Sequence, residues 1–348
     1  MRPPAVPMTE LLRGKGAAQP PRRPPLRGRR GTPPAPPPPG GGPPGGGPRG
    51  GGGPPPPPPT PRAGAPPAAG PPPPPGPRPP PPPPPGCAVC PPPAPTINRK
   101  EAAAAELYPF YYDLHIHTCL SPCGEDDMTP ATVAGLSALA GLDLIAVCDH
   151  NTAGNVRAVQ QAAAALAPGL LVIPGIELTC AEELHMVCLF PTAEAAEAAG
   201  EEVYAALPPI LNREDIFGVQ LLMDAEDTVT GRIPRLLSNA TALSIDDAPA
   251  FAARYGGFCY PAHIDRDSMS VLSALGEIPE ALGFSAVEVA DPERFFAGGR
   301  NARYAERYHI LTCSDAHRPE ALLPDASRAI HLPECTFAAL KAALTAPK

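Results

Sequence analysis

Proline governs the first third of the chain. Runs of proline at 54–59 and 79–85 carry no backbone N–H, so neither a helix nor a sheet ladder can propagate through them. Most of the 59 prolines and many of the 33 glycines lie before residue 100, with almost no large apolar side chains among them. No core can form from such a segment. Residues 1–100 are therefore expected to be a disordered Pro/Gly/Arg-rich tail with local polyproline II character. Folding is confined to residues 107–348, a usual size for one α/β barrel domain.

Charge divides at the same place. Of 27 Lys+Arg and 35 Asp+Glu, 13 and one (Glu10) fall in residues 1–100, so the remainder carries 14 against 34, a net −20. A domain that acidic is a poor fit for gripping a long nucleic-acid backbone through a broad basic face. Acids gathered at a cation site account for part of the excess. No apolar leader opens the sequence and no run of about 18 apolar residues occurs in it, so neither a secretory signal nor a membrane span is expected. The ten cysteines then read as reduced thiols of a cytoplasmic protein, with Cys148, Cys188, Cys259 and Cys313 buried in strands. Cys87 and Cys90 form one isolated Cys-x-x-Cys, a weak zinc signal without a second pair. The tail can serve a proline-recognition module or stem from a start upstream of the true initiator; a dispensable tail is the expectation.

Within the folded part, apolar runs end repeatedly in histidine or carboxylate. Leu107 to Tyr112 leads into Asp113-Leu-His115-Ile-His117, which reads as a short buried strand entering a loop. Alternate side chains of a strand share a face, so His115 and His117 can grip one cation. Thr129-Pro130 is a helix start, a capping hydroxyl followed by proline at the first helical position; that helix is expected to run to about Ala140. The apolar run 142–148 is a strand covered on both faces and ends in Asp149-His150. A helix is expected over 155–167, then a strand over 170–176 ending at Glu177. This β-α-β-α-β order puts polar residues at the carboxyl ends of strands, where parallel α/β sheets build active sites.

His185 strains that pattern, because it precedes its apolar run (186–190). Either that strand runs antiparallel or His185 lies in a loop that folds back. A helix over 193–206, an apolar stretch around 217–223 and a helix at about 246–255 follow, with Asn239-Ala-Thr241 read as structural. Strands at 258–262, 286–289 and 308–313 deliver His263, then Ser314-Asp315-Ala-His317. A short strand near Ala329 and a helix over 336–344 close the chain.

Of eight histidines, six fall at strand ends or edges; His309 and His331 are read as ordinary. Mixed imidazole and carboxylate donors suit Zn²⁺, Mn²⁺ or Fe²⁺ better than Mg²⁺ or Ca²⁺. They are too many for one ion, and two or three sharing Glu177 would use them.

His115-x-His117, Asp149-His150, Glu177, His185, Pro261-Ala-His263 and Ser314-Asp-Ala-His317 together resemble the motif series of the PHP (polymerase and histidinol phosphatase) metallophosphoesterases, over roughly residues 110–335. The stretch 115–152 looks most like the stand-alone bacterial type. The resemblance implies a distorted TIM-like (β/α)7 barrel with a trinuclear centre. It implies His115, His117, Glu177 and Asp315 at a first ion, Glu177, His185 and His263 at a second, and His150 and His317 at a third. The third ion's remaining ligand, a His or Asp in the family, falls near Pro122-Cys123 here; Cys123 is the first choice, with Asp126 and Asp127 just beyond. Asp149 points away from His150 on a regular strand and is read as orienting a ligand imidazole. Arg266, and after it Arg318, are candidate phosphate clamps.

The expected chemistry is hydrolysis of a small phosphomonoester by a metal-activated hydroxide. A nucleotide or a short RNA or DNA end comes first and histidinol phosphate second. A module serving a DNA polymerase and a non-catalytic metal-stabilised interaction protein are the readings from other classes.

Overall fold

The computed structural model describes residues 106–322 and 328–348, all within the compact unit Pro91–Lys348. The expected tail, its proline-recognition role and the Cys87/Cys90 pair lie outside the described residues.

The architecture is mixed α/β. A six-stranded sheet runs in the order β10-β1-β2-β3-β4-β7, from β1 (Tyr108–Ile116), β2 (Leu144–Val147), β3 (Leu171–Thr179), β4 (His185–Leu189), β7 (Phe258–Pro261) and β10 (Ala329–Leu332). β1, β2 and β3 are parallel. β4 is antiparallel to β3, and β7 to β4, so β7 again runs with β1–β3. β10 lies antiparallel outside β1. Two further pairs stand apart: an antiparallel hairpin, β5 (Leu221–Met223) with β6 (Val229–Arg232), and a parallel pair, β8 (Ala286–Glu288) with β9 (His309–Leu311).

The parallel pair carries the curl of the sheet round at one rim. Ile264 N–H donates to Glu288 O at 2.8 Å and His117 N–H to Ala316 O at 2.9 Å, and Ile116 bridges Ala316 in parallel. β8 and β9 are thereby tied to the exits of β7 and β1. Buried Asp113 adds a side-chain link, accepting from Ser314 N–H at 3.1 Å and Arg328 Nη1 at 3.1 Å. Seven strands thus surround one core, as the distorted barrel expectation requires. Only β4 runs against the others, and that is the first of the two readings of His185: the reversal brings its amino end to the rim where the others finish.

Both faces of the sheet are covered, which explains the near-continuous apolar runs. Along β2, Leu144 and Ala146 pack inward with Leu114, Val187 and Tyr260. Ile145 and Val147 pack outward against helices. These helices are α1 (Pro130–Leu139), α2 (Val156–Leu166), α3 (Ala193–Ala206) and α4 (Ala248–Arg254), whereas α5 (Phe337–Thr345) packs with the inner cluster through Leu340 and Leu344. α1 starts as expected, with Thr129 Oγ1 accepting from Thr132 N–H and Pro130 at the first position. The β5–β6 hairpin was not expected, the sequence offering only an apolar stretch around 217–223 there. Cys259 is half-buried rather than buried. Among the described residues no helix is long and apolar enough to cross a membrane.

Close approach of β2, β3 and β4 requires glycine at 175. A Cβ there would lie 2.6 Å from Cys148 Sγ, 2.9 Å from Val147 O and 3.0 Å from Leu189 Cδ2, and the carbonyl cannot swing aside. Gly175→Ala is expected to cost about 1–3 kcal/mol, the usual range for overpacking. Urea unfolding of the purified chain measures it; an unchanged midpoint would contradict this packing.

Candidate metal centre

Glu177 sits in the body of β3, two residues before its end at Thr179, not at the strand end as expected. It is 1% exposed. Its Oε1 lies 2.7 Å from His185 Nδ1, 3.1 Å from His263 Nε2 and 3.3 Å from His115 Nε2. Its Oε2 lies 2.9 Å from His150 Nδ1 and 3.2 Å from His117 Nε2. Asp315 Oδ1 approaches His117 Nε2 at 3.1 Å and His115 Nε2 at 3.5 Å. His317 stacks on His117 with centroids 4.0 Å apart. All six expected histidines and both carboxylates therefore meet in one buried cluster.

Local backbone aims them. His263 and Asp315 follow their strands in the left-handed region, at φ 26° and 48°, strain that persists only where surroundings impose it. Asn151, at φ 53°, holds the exit of β2: its Nδ2 donates to Leu237 O and Asn239 O, and its Oδ1 accepts from Thr179 N–H. Asn239 and Thr241 have the structural role expected, Thr241 through its bonds to Thr179 O.

Hydrogen bonds also fix which imidazole nitrogen faces the cluster. His115 Nδ1 lies 2.9 Å from Glu288 Oε2, and a carboxylate must accept, so Nδ1 carries the proton. His317 Nδ1 donates to Asp315 O at 2.8 Å. Ser121 Oγ donates to Asp149 Oδ1 at 2.7 Å, leaving it to accept from His117 Nδ1 at 2.8 Å and His150 N–H at 3.2 Å. The Nε2 atoms of His115 and His117 then present lone pairs to each other 3.2 Å apart. Such an arrangement needs a cation or a proton between them. His150 Nδ1, His185 Nε2, His263 Nδ1, Glu177 Oε2 and Asp315 Oδ1 are all buried without a hydrogen bond. His150 Nδ1 and Glu177 Oε2 lie close enough to pair, yet their geometry makes none: the atoms converge on shared space rather than on each other. The donor set fits divalent metal ions.

Three groups of ligand atoms each lie within 4.8 Å of one another: His115, His117, Glu177 and Asp315; His150, Glu177 and His185; and His117, His150 and His317. The first is the set the family resemblance implied. The second contains His150, with His263 alongside, its Nε2 3.3 Å from His185 Nδ1. The third gains His117. Exposed Cys123 brings Sγ to 3.2 Å from His150 Nε2, whereas Asp126 and Asp127 are exposed and belong to none of the three groups. Gly124 permits that placement, since a Cβ there would overlap Thr118 O.

One expected role changes. Asp149 contacts no imidazole; it accepts from Thr118 N–H, Thr118 Oγ1 and Ser121 Oγ, so it reaches His117 only through Ser121. Arg266 Nη2 lies 2.6 Å from Asp315 Oδ2, at the cluster's edge. Exposed Arg318 follows His317. His309 bonds Ala346 O and His331 is exposed on β10, neither in the cluster. Glu288, fully buried on His115, was missed. Its only sequence signal was a lone acid within the apolar strand 286–289.

Electrostatics explain how so much charge is buried. Burial would raise the Glu177 carboxyl, but His185, His115 and His150 outweigh it and hold it well below the usual carboxylate range. Burial would lower His117 and His150. Asp315 and Glu177 push His117 up to about 9; Glu177 and Cys123 do the same for His150. His317 is pushed down to about 3 by burial and the neighbouring His117.

No protein-family profile matches this chain, and no curated protein matches it. Solved structures similar to it include the lesion-specific endonuclease from Pyrococcus furiosus, at 18% identity and TM-score 0.48, over 68% of this chain and 56% of that one. The chain therefore spans little more than half of that endonuclease. An amidohydrolase from Chromobacterium violaceum is similar at 19% identity and TM-score 0.42, over 65% of this chain and 99% of that one. A putative metal-dependent phosphoesterase from Bifidobacterium adolescentis is similar at 19% identity and TM-score 0.40, over 59% of this chain and 87% of that one. At such identities and scores the likeness says nothing of activity.

Two outcomes are expected of the cluster. In the metal-free protein, His117 and His150 hold protons up to about pH 9, whereas unfolded histidine lets go near 6.5. Their contribution is full below pH 6.5 and lost as pH rises through 9. The depressed His317 changes stability only below 6.5 and cannot offset this. The melting temperature of the metal-stripped chain should fall between pH 6.5 and 9, and Mn²⁺ should restore it; a flat metal-free profile would contradict the protonation scheme. Glu288→Ala should weaken metal affinity about 10–100-fold, as loss of a ligand's hydrogen-bond partner does. Glu288→Gln, which still accepts from Nδ1–H, should recover part of it in calorimetric titration.

Proposed function

We propose that this chain is a metal-dependent phosphoester hydrolase of the PHP type, acting in the cytoplasm on a small phosphomonoester, first among them a nucleotide or short oligonucleotide end. The observation that carries this is the buried Glu177 carboxylate with five imidazoles on its two oxygens. A carboxylate shared in this way suits a bridge between neighbouring cations, and imidazole with carboxylate suits Mn²⁺, Zn²⁺ or Fe²⁺.

His115, His117, Glu177 and Asp315 would hold one ion, Glu177, His185 and His263 a second, and His150, His317 and Cys123 a third. Bound there, the ions would supply hydroxide near neutral pH and neutralise phosphate oxygens. The chain supplies the rest. Glu288, Ser121 and the Asp315 carbonyl hold Nδ1 protons, so Nε2 stays free on His115, His117 and His317. Asp149 keeps Ser121 in its accepting role. Arg266, now on Asp315, would take a phosphate oxygen.

The test is phosphate release by the full chain, stripped and reloaded with Mn²⁺, Zn²⁺ or Fe²⁺. The substrates are a nucleoside 5′-monophosphate, a short 5′-phosphorylated RNA, histidinol phosphate and an aryl phosphate. Metal-dependent release is expected, falling more than about 100-fold in Glu177→Gln, beyond the loss an outer hydrogen-bond partner brings. Bound metal without turnover on any substrate would overturn the reading.

A further inference from the structure

Cations in this acidic domain are almost all engaged. Arg157, Arg213, Arg232, Arg254, Arg266, Arg307 and Arg328 pair with carboxylates. Arg235 and Arg303 bond and stack on tyrosines or carbonyls, and both described lysines bond carbonyls. Among the described residues three guanidiniums have no such partner: Arg294, Arg300 and Arg318. Arg318 follows His317 of the cluster. Arg294 and Arg300 line one cavity of about 340 Å³ with Asp265, Phe295, Ala297 and Asn301.

That cavity is tied to the metal centre through the chain. Asp265 is two residues past His263, and its carboxylate accepts from Ala290 N–H and Asp291 N–H, both at 2.8 Å. Those bonds lace the loop after β7 to the loop after β8, whose Glu288 touches His115. They also satisfy the acid on the cavity wall. The next residue, Arg266, reaches Asp315 of the cluster. The segment bearing the two arginines is braced. Asn301 Nδ2 donates to Phe295 O at 3.0 Å, and Phe295 packs on Phe296 and Tyr304 with centroids 5.0 and 5.7 Å away. The exposed acids Asp291 and Glu293 stand on the same helical turn; Asp291 caps it through Arg294 N–H.

Resting on the phosphoester reading, we infer that the Arg294–Arg300 cavity is a second phosphate subsite, holding a nucleotide phosphate other than the one hydrolysed. Two free guanidiniums suit the paired oxygens of a phosphate, and the Phe295 ring beside them suits a base face. The preferred substrate then carries at least two phosphates, as an oligonucleotide end does.

The experiment compares a 5′-phosphorylated dinucleotide with a nucleoside 5′-monophosphate on the metal-loaded full chain, wild type against Arg294→Ala/Arg300→Ala. Calorimetric binding of the dinucleotide to the metal-stripped proteins is measured alongside. The ratio of kcat/KM values, dinucleotide over mononucleotide, should fall about 10–100-fold in the double variant, the size expected for hydrogen bonds to a charged group. Dinucleotide binding should weaken in parallel, and the Arg→Lys pair should recover part of both. An unchanged ratio with metal-dependent turnover intact would overturn the subsite and leave the hydrolase reading standing. Absence of turnover in the wild type would overturn that reading; weaker dinucleotide binding in the double variant would still support the subsite, and equal binding would sink it too.

Discussion

A carboxylate taken fully out of water costs several kcal/mol unless it is paired, and Glu177 is buried at the centre of the molecule's most polar region. The fold solves this by bringing five imidazoles from four strand termini onto one side chain. Each of those imidazoles meets the opposite cost, since burial disfavours its charged form. Neither party is tolerable alone. Ser121, Glu288 and the Asp315 carbonyl settle three imidazoles into one tautomer, and that directs lone pairs inward, where only positive charge can sit.

This constraint accounts for the irregularities of the sheet. A uniformly parallel barrel would leave the amino end of β4 on the far rim, away from Glu177. Reversal of that one strand brings His185 to within 2.7 Å of it. Left-handed backbone at His263 and Asp315 turns both side chains at strand exits, and the Asn151 amide ties the β2 exit to Thr179 and the 237–239 segment. Irregular backbone thus collects at the site, while the regular ladders β1–β3 lie behind it.

Much of this could be read from the residues. Apolar runs ending in histidine or acid located β1, β2, β3, β7 and β9 within a few residues, and Thr129-Pro130 marked a helix start through local capping chemistry. The eight principal cluster residues were legible because few other roles put imidazoles at successive strand ends. What escaped depended on long-range geometry. Glu288 looked like any acid within a strand, because its partner lies 173 residues away. Asp149 was assigned an imidazole by strand alternation, whereas the loop after β1 folds back and takes up its carboxylate first. The direction of β4 was open because local sequence carries no record of which neighbour a strand pairs with. The β5–β6 hairpin was hidden because its strands are short and half exposed.

The β8–β9 pair has a consequence for how the barrel is shut. Its backbone bridges to the flanking strands, Ile264 to Glu288 and His117 to Ala316, fall at residues that are in the donor cluster or next to it. The seam of the barrel and the cluster are therefore one structure, and a cation seated there would act as a clasp. It would join β1 and β3 from the first half of the domain to the exit of β9 near its end. Without one, the ring would open at that seam while the six-stranded sheet keeps its ladders, so the opening would be local and would run through the cluster itself.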